Sequence, residues 1–109
     1  MSLERPWLAQ YPASVAPTID VDEFPSIVSV LENAIDKYRD RPAFANLGKV
    51  LTYGEVDTLS RQFAAYLLGE LKLKKGDRVA IMMPNCLQYP IAIFGVLRAG
   101  LTVVNTNPM

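Results

Sequence analysis

Residues 82–109 read MMPNCLQYPIAIFGVLRAGLTVVNTNPM. A Pro84-Asn85 turn follows the end of an apolar run. Residues 87–97 are then apolar almost without interruption until Arg98 and Gly100, and residues 101–105 return as a β-branched stretch. Run length and residue type argue strand, turn, helix, strand. A helical connection of this size sets the second strand parallel to the first by a right-handed crossover. Asn85 is placed to cap the helix, and Pro90 lies near its first turn, where a missing N–H costs little. Such a unit opens a nucleotide site, spans a membrane, or belongs to a larger α/β domain. A dinucleotide or phosphate loop needs glycines so that backbone can approach the phosphates, and the turn Met83-Pro84-Asn85-Cys86 has none. Residues 79–97 carry no formal charge, but Pro84, Asn85, Gln88 and Pro90 break that window in ways lipid does not tolerate.

Working upstream, residues 78–83 are mostly apolar without alternation, which predicts a strand covered on both faces of a parallel sheet. Thr52-Tyr53-Gly54-Glu55 has the form of a capping box. Val56, Leu59, Phe63, Tyr66 and Leu67 continue it as a helical stripe ending near Leu71. Residues 43–46 and 50–52 flank Leu47-Gly48 and predict a short hairpin. Ile27, Val30, Leu31, Ala34, Ile35 and Tyr38 predict a helix over 27–38, capped by Ser26 and stopped by Pro42. Residues 1–25 hold Pro6, Pro12, Pro17 and Pro25 with no sustained period, which reads as an extended N-terminal arm. Trp7, Leu8, Tyr11 and Phe24 in that arm argue for docking on a protein body. The division expected is therefore an arm over 1–25 and an α/β portion over 26–109.

With 109 residues, 11 basic and 11 acidic side chains, the formal net charge is zero. Bulk electrostatics therefore gives no draw to nucleic acid. Cys86 is the single cysteine and histidine is absent, which excludes an internal disulfide and the common Cys/His zinc patterns and points to a reducing compartment. Residues 1–10 lack the pattern of a secretory signal. Cys86 has no histidine to activate it as a nucleophile and reads as a small buried apolar residue. Asp20, Asp22 and Glu23 read as solubilising charges in the arm. Lys72, Lys74 and Lys75 read as a solvated helix end rather than a phosphate patch. Tyr53, Phe63 and Tyr66, at helical spacing, read as core or partly exposed core rather than a stacking platform for bases. No catalytic, cofactor-binding or metal-binding residue is assigned.

A helix apolar on all sides needs neighbours on all sides, and the elements counted here do not surround it. Two readings follow. One is the front portion of a larger α/β domain, inactive by itself and prone to self-association. The other is a stand-alone, non-catalytic, self-associating interaction module.

The ordered set RPAFANLGKVLTYGEV, LKLKKGDRVAIMMPNCLQYPIAIFGVLRAG and VVNTNP resembles the opening of the acyl-adenylate-forming ligases, and WLAQYPASVAPTID resembles the start of bacterial long-chain fatty acid–CoA ligases. The resemblance covers nearly the whole chain. It implies a partial three-layer α/β fold, the opening of the large N-terminal domain of such a ligase. It also implies a parent enzyme that converts a fatty acid and ATP, with Mg²⁺, to acyl-adenylate and pyrophosphate, then transfers the acyl group to coenzyme A. The phosphate loop, adenine contacts and catalytic lysine of that family match no position here, so no site residue is carried over. The partners implied are the rest of the parent ligase, its substrates, and a second copy through exposed apolar faces or arm exchange. The location implied is cytoplasmic, with the parent peripheral on the inner membrane.

Overall fold

The computed structural model describes residues 4–109. Helix α1 (Ile27–Tyr38) begins at Ser26, which forms a reciprocal capping box with Ser29. Strands β1 (Pro42–Asn46) and β2 (Lys49–Thr52) pair antiparallel. Helix α2 (Tyr53–Gly69) starts at the expected Thr52/Glu55 box, with the Glu55 N–H donating to Thr52 Oγ1 at 3.1 Å and the Thr52 N–H to Glu55 Oε1 at 3.3 Å. Strand β3 (Arg78–Ile81), helix α3 (Gln88–Arg98) and strand β4 (Thr102–Asn105) complete the chain, with β3 and β4 parallel and Arg78 opposite Thr102. The fold is mixed α/β, with an antiparallel hairpin and a separate parallel pair.

The hairpin loop is the two residues Leu47-Gly48, at φ 49° and 79°. Positive φ at both central positions is the type I′ pattern, whose twist matches that of the flanking strands. Glycine adopts it freely, but leucine pays for a Cβ held against the following carbonyl. Leu47 is 97% exposed, so no packing offsets that strain.

Two apolar clusters hold the elements together. Leu31 and Ile35 of α1, Leu51 of β2 and Val56 of α2 form one, with Ile91 and Phe94 of α3 packed against it. Ala64 and Leu67 of α2, Ile81 of β3, Ala92 and Val96 of α3, and Leu101 form the other. Helix α3 thus lies between two cores, and Gln88 is its only exposed residue. The expectation that this helix would lack neighbours is corrected: α1, α2 and both sheets share its faces. The incompleteness falls on the parallel sheet. Val79, Ile81 and Val103 turn inward, while Arg78, Ala80, Thr102 and Val104 are exposed, so β3 alternates where coverage of both faces was expected.

Other boundaries also differ. Strand β3 stops at Ile81, short of residue 83, because Met83 precedes Pro84 and leaves the ladder. Asn85 does not cap α3. Leu87 occupies the cap position in helical conformation without a side-chain bond, and the Tyr89 N–H tightens the first turn by donating to the Cys86 carbonyl at 3.1 Å. In the N-terminal segment, Pro6–Gln10 is a 3₁₀ turn with proline at its start. Leu8 and Phe24 are half-buried, but Trp7 and Tyr11 are exposed, so two of the four large side chains expected to dock stand in solvent.

Gly95 sets the distance between α2 and α3. A Cβ there would lie 2.7 Å from Phe63 Cδ1 and 3.1 Å from the Ser60 carbonyl oxygen. In an exposed helix Gly→Ala gains about 1 kcal/mol of propensity. Here the sign should reverse, and Gly95→Ala is expected to destabilise by roughly 1–3 kcal/mol, read as a lower urea midpoint at unchanged m. Leu47→Asn is expected to act the other way, raising stability by about 1 kcal/mol through relief at positive φ and the melting temperature by roughly 4–8 °C. An unchanged or lower melting temperature would contradict the strain reading.

Candidate functional site

Three features of the described residues bear on chemistry. The first is an open cleft of about 450 Å³ between the hairpin and the start of α3. Phe44, Leu87, Pro90, Ile93 and Phe94 give it apolar walls, and Asn46 and Asn85 supply its amides. The Asn46 side chain donates to the Asn85 carbonyl at 3.5 Å, tying the hairpin to the turn that sequence reasoning had weighed as a nucleotide mouth. No charged side chain lines the cleft. It suits apolar groups, and it offers neither cations for a phosphate chain nor an acid–base pair.

The second feature is a buried carboxylate. Asp57 sits on the inward face of α2 beside Val56, Ser60 and Ala64, where burial of a charge requires partners. It receives three. Arg39 Nη2 donates to Oδ2 at 3.0 Å, and Arg61 Nε and Arg98 Nη1 each donate to Oδ1 at 2.8 Å. Arg98 Nη1 also donates to the Asp57 carbonyl and to Ser60 Oγ, each at 3.1 Å. One carboxylate thereby joins the end of α1, the middle of α2 and the end of α3. Burial alone would raise its pKa, but hydrogen bonds from Arg98, Arg61 and Arg39 outweigh that and hold it at about 2, below the ordinary 3.8. Arg98 has a side chain only 7% exposed, and its Nε–H has no partner among the described residues. This cluster was not anticipated. The signals were an aspartate on an apolar helical stripe and the Asp57/Arg61 spacing of four residues.

The third feature is the exposed run Lys72, Lys74 and Lys75 after α2. Asp77 Oδ2 accepts the Lys74 N–H at 2.8 Å, which turns the chain into β3. Cys86 is half-buried on the cleft, not sequestered as expected, since the turn before α3 stays at the surface. Among the described residues no three His, Cys, Asp or Glu side chains gather where they could hold a metal ion. No described helix is long and apolar enough to cross a membrane, and the uncharged window 79–97 is divided between β3 and α3.

The AMP-binding enzyme family model matches residues 31–109. The chain is 56% identical over 107 residues to a long-chain-fatty-acid–CoA ligase of Yersinia pestis and 53% identical to one of Salmonella typhimurium, in each case over 98% of this chain and 19% of the relative. It is 38% identical over 109 residues to the long-chain-fatty-acid–CoA ligase of Bacillus subtilis. It spans about a fifth of the length of these curated relatives. Among solved structures, the Klebsiella oxytoca NpsA N-terminal subdomain superposes with TM-score 0.72 at 24% identity, over 78% of this chain and 22% of that one. The Mycobacterium smegmatis MbtA apo structure superposes with TM-score 0.67 at 36% identity, over 74% and 15%.

Because the Asp57 carboxyl is held below its unfolded value, its contribution to stability is present above about pH 4 and is lost as pH falls through about 2. Urea midpoints followed from neutral pH to pH 2 should show that loss. Asp57→Asn leaves Arg98 buried without its counter-charge and is expected to cost roughly 3–5 kcal/mol. If the variant proves too unstable to titrate, the unsubstituted protein's own acid limb still decides the matter: no loss between pH 4 and 2 would contradict the assignment.

Proposed function

Because the chain belongs to the AMP-binding enzyme family, we propose that it is the opening scaffold of an ATP-dependent long-chain fatty acid–CoA ligase. The observation that carries this reading is the 56% identity over 98% of the chain to a long-chain ligase, and the likeness to an N-terminal subdomain supports it at the level of fold. In the reaction of such a ligase, a fatty acid carboxylate displaces pyrophosphate from ATP to form acyl-adenylate. The coenzyme A sulfur then takes the acyl group and AMP leaves. Adenylation turns a poor leaving group into a good one. Stabilising the charge that develops on phosphate requires clustered N–H donors, a lysine and a metal.

The described residues do not fit that task. The cleft has no charged liner, no metal-type cluster is present among the described residues, and Arg39, Arg61 and Arg98 are turned onto Asp57. The role left to these residues is structural, to build two cores on which the remainder of a ligase packs. ATP, Mg²⁺ and coenzyme A belong to the parent enzyme, which we place in the cytoplasm, and this polypeptide by itself does not activate fatty acids. Residues 1–25 act as an arm on the body formed by 26–109. Self-association through the exposed face of the parallel sheet is the second behaviour expected of the isolated chain.

Two measurements test the proposal. The chain alone should give no ATP–pyrophosphate exchange with a long-chain acid, and clear turnover would overturn the scaffold role. Residues 31–109 exchanged for the matching stretch of the Yersinia pestis ligase should keep long-chain acyl-CoA synthesis within about threefold in kcat/KM. A soluble, folded chimera without activity would overturn the ligase assignment.

A further inference from the structure

The cleft between the hairpin and the start of α3 opens both apolar clusters to solvent. Leu87 and Phe94 pack against one cluster and Ile93 against the other, yet all three line the cleft and stay half-buried. Phe44 of β1 lines it too and is 38% exposed. Polar groups do little to offset this exposure. The Asn46 amide is spent on the Asn85 carbonyl, and no charged side chain is present in the cleft.

A surface that is apolar, open and uncharged is what a permanent interface leaves when one side is taken away. A small ligand needs enclosure and converging polar groups, and this cleft offers neither. A second copy of the chain would bring its exposed Ile19 and Val21, but these are interleaved with Asp20, Asp22 and Glu23, and the cleft has no cation to receive the carboxylates. The rim favours a different cover. Tyr89 lines the cleft, and its hydroxyl donates to Asn105 Oδ1 at 2.6 Å, which fastens the end of β4 to the cleft's edge. Polypeptide continuing from β4 reaches over the cleft at little cost in loop closure. With 19% of each relative matched, most of a relative's length is left to supply it.

We propose that this cleft is the seat of an uncharged, apolar segment of the ligase polypeptide beyond the matched stretch, with Phe44, Leu87, Ile93 and Phe94 as its floor. The inference rests on the ligase reading and adds to it the surface that takes the rest of the enzyme. The bond from Asn46 to Asn85 then sets the width of the seat by tying the hairpin to the turn. Cys86, half-buried on the same cleft, reports on its occupancy, because a thiol is alkylated at a rate that follows its exposure.

Alkylation of Cys86 by N-ethylmaleimide, followed at that residue by peptide mass spectrometry, is the test. In the 109-residue chain the rate should be independent of protein concentration. In the folded chimera that carries residues 31–109 in the Yersinia pestis ligase, it should be slower by roughly tenfold or more, with the two rates equal in urea. Phe44→Gln should raise the rate in the chimera severalfold and leave the isolated chain unchanged. Acyl-CoA synthesis is read separately, so the two readings fail independently: an active chimera with unprotected Cys86 overturns this proposal alone, and a folded, inactive chimera with protected Cys86 supports the seat and counts against the ligase assignment alone. Protection that grows with the concentration of the isolated chain would give the cleft to a second copy, and protection by millimolar octanoate would give it to a small amphiphile; either overturns the proposal. If the chimera does not fold, the isolated chain mixed with the Yersinia pestis ligase lacking its matched stretch carries the same readout, and an unslowed Cys86 there overturns it as well.

Discussion

The close approach of α2 and α3 is the constraint on which the other contacts depend. Gly95 lets Phe63 and the Ser60 backbone come within a distance that any Cβ would forbid. At the end of the same interface Arg98 reaches across to the Asp57 carboxylate, the Asp57 carbonyl and Ser60 Oγ. Dispersion falls steeply with separation and a hydrogen bond weakens as it lengthens, so a larger residue at position 95 would loosen both contacts. The two apolar clusters follow, because each takes side chains from α2 or α3 and adds a sheet: the hairpin on one side through Leu51, the parallel pair on the other through Ile81 and Leu101.

This arrangement explains why α3 reads as apolar on every face. Such a pattern is ambiguous at the level of sequence, since a helix lying between two small cores and a helix awaiting further layers have the same composition. Periodicity reports how much of a surface is buried, not which element does the burying. The element types were readable because they rest on local rules: the Thr52/Glu55 box, the Ser26 cap, and the parallel strand-helix-strand of the closing segment. The boundaries that moved lie at Met83 and Asn85, where Pro84 and a 3₁₀-like bond from Tyr89 to Cys86 decide the geometry. These are short-range competitions between nearly equal alternatives, and propensity does not rank them.

The Asp57 cluster was illegible for a different reason. Its members come from three helices separated by 18 and 41 positions, and only the Asp57–Arg61 pair is local. A polar residue on an apolar stripe signals that partners exist without naming them. Arg98 looked like an ordinary basic residue closing a helix, favourable to the dipole, although its side chain is among the least exposed of the chain's cations. A long side chain at a helix end can turn inward as readily as outward, and a carboxylate in reach settles the direction.

That inward turn bears on function as much as on stability. An arginine bonded to a buried carboxylate is a poor partner for an incoming phosphate, because taking the phosphate would leave Asp57 charged and desolvated. Three of the chain's eleven basic side chains are withdrawn in this way, and the cleft beside α3 recruits none of the others. The chemistry of adenylation calls for positive charge gathered at a concave surface. Here the cleft beside α3 is uncharged, and Lys72, Lys74, Lys75 and Arg78 lie exposed on the segment after α2. What the arginines do here is join the protein's own three helices through one carboxylate.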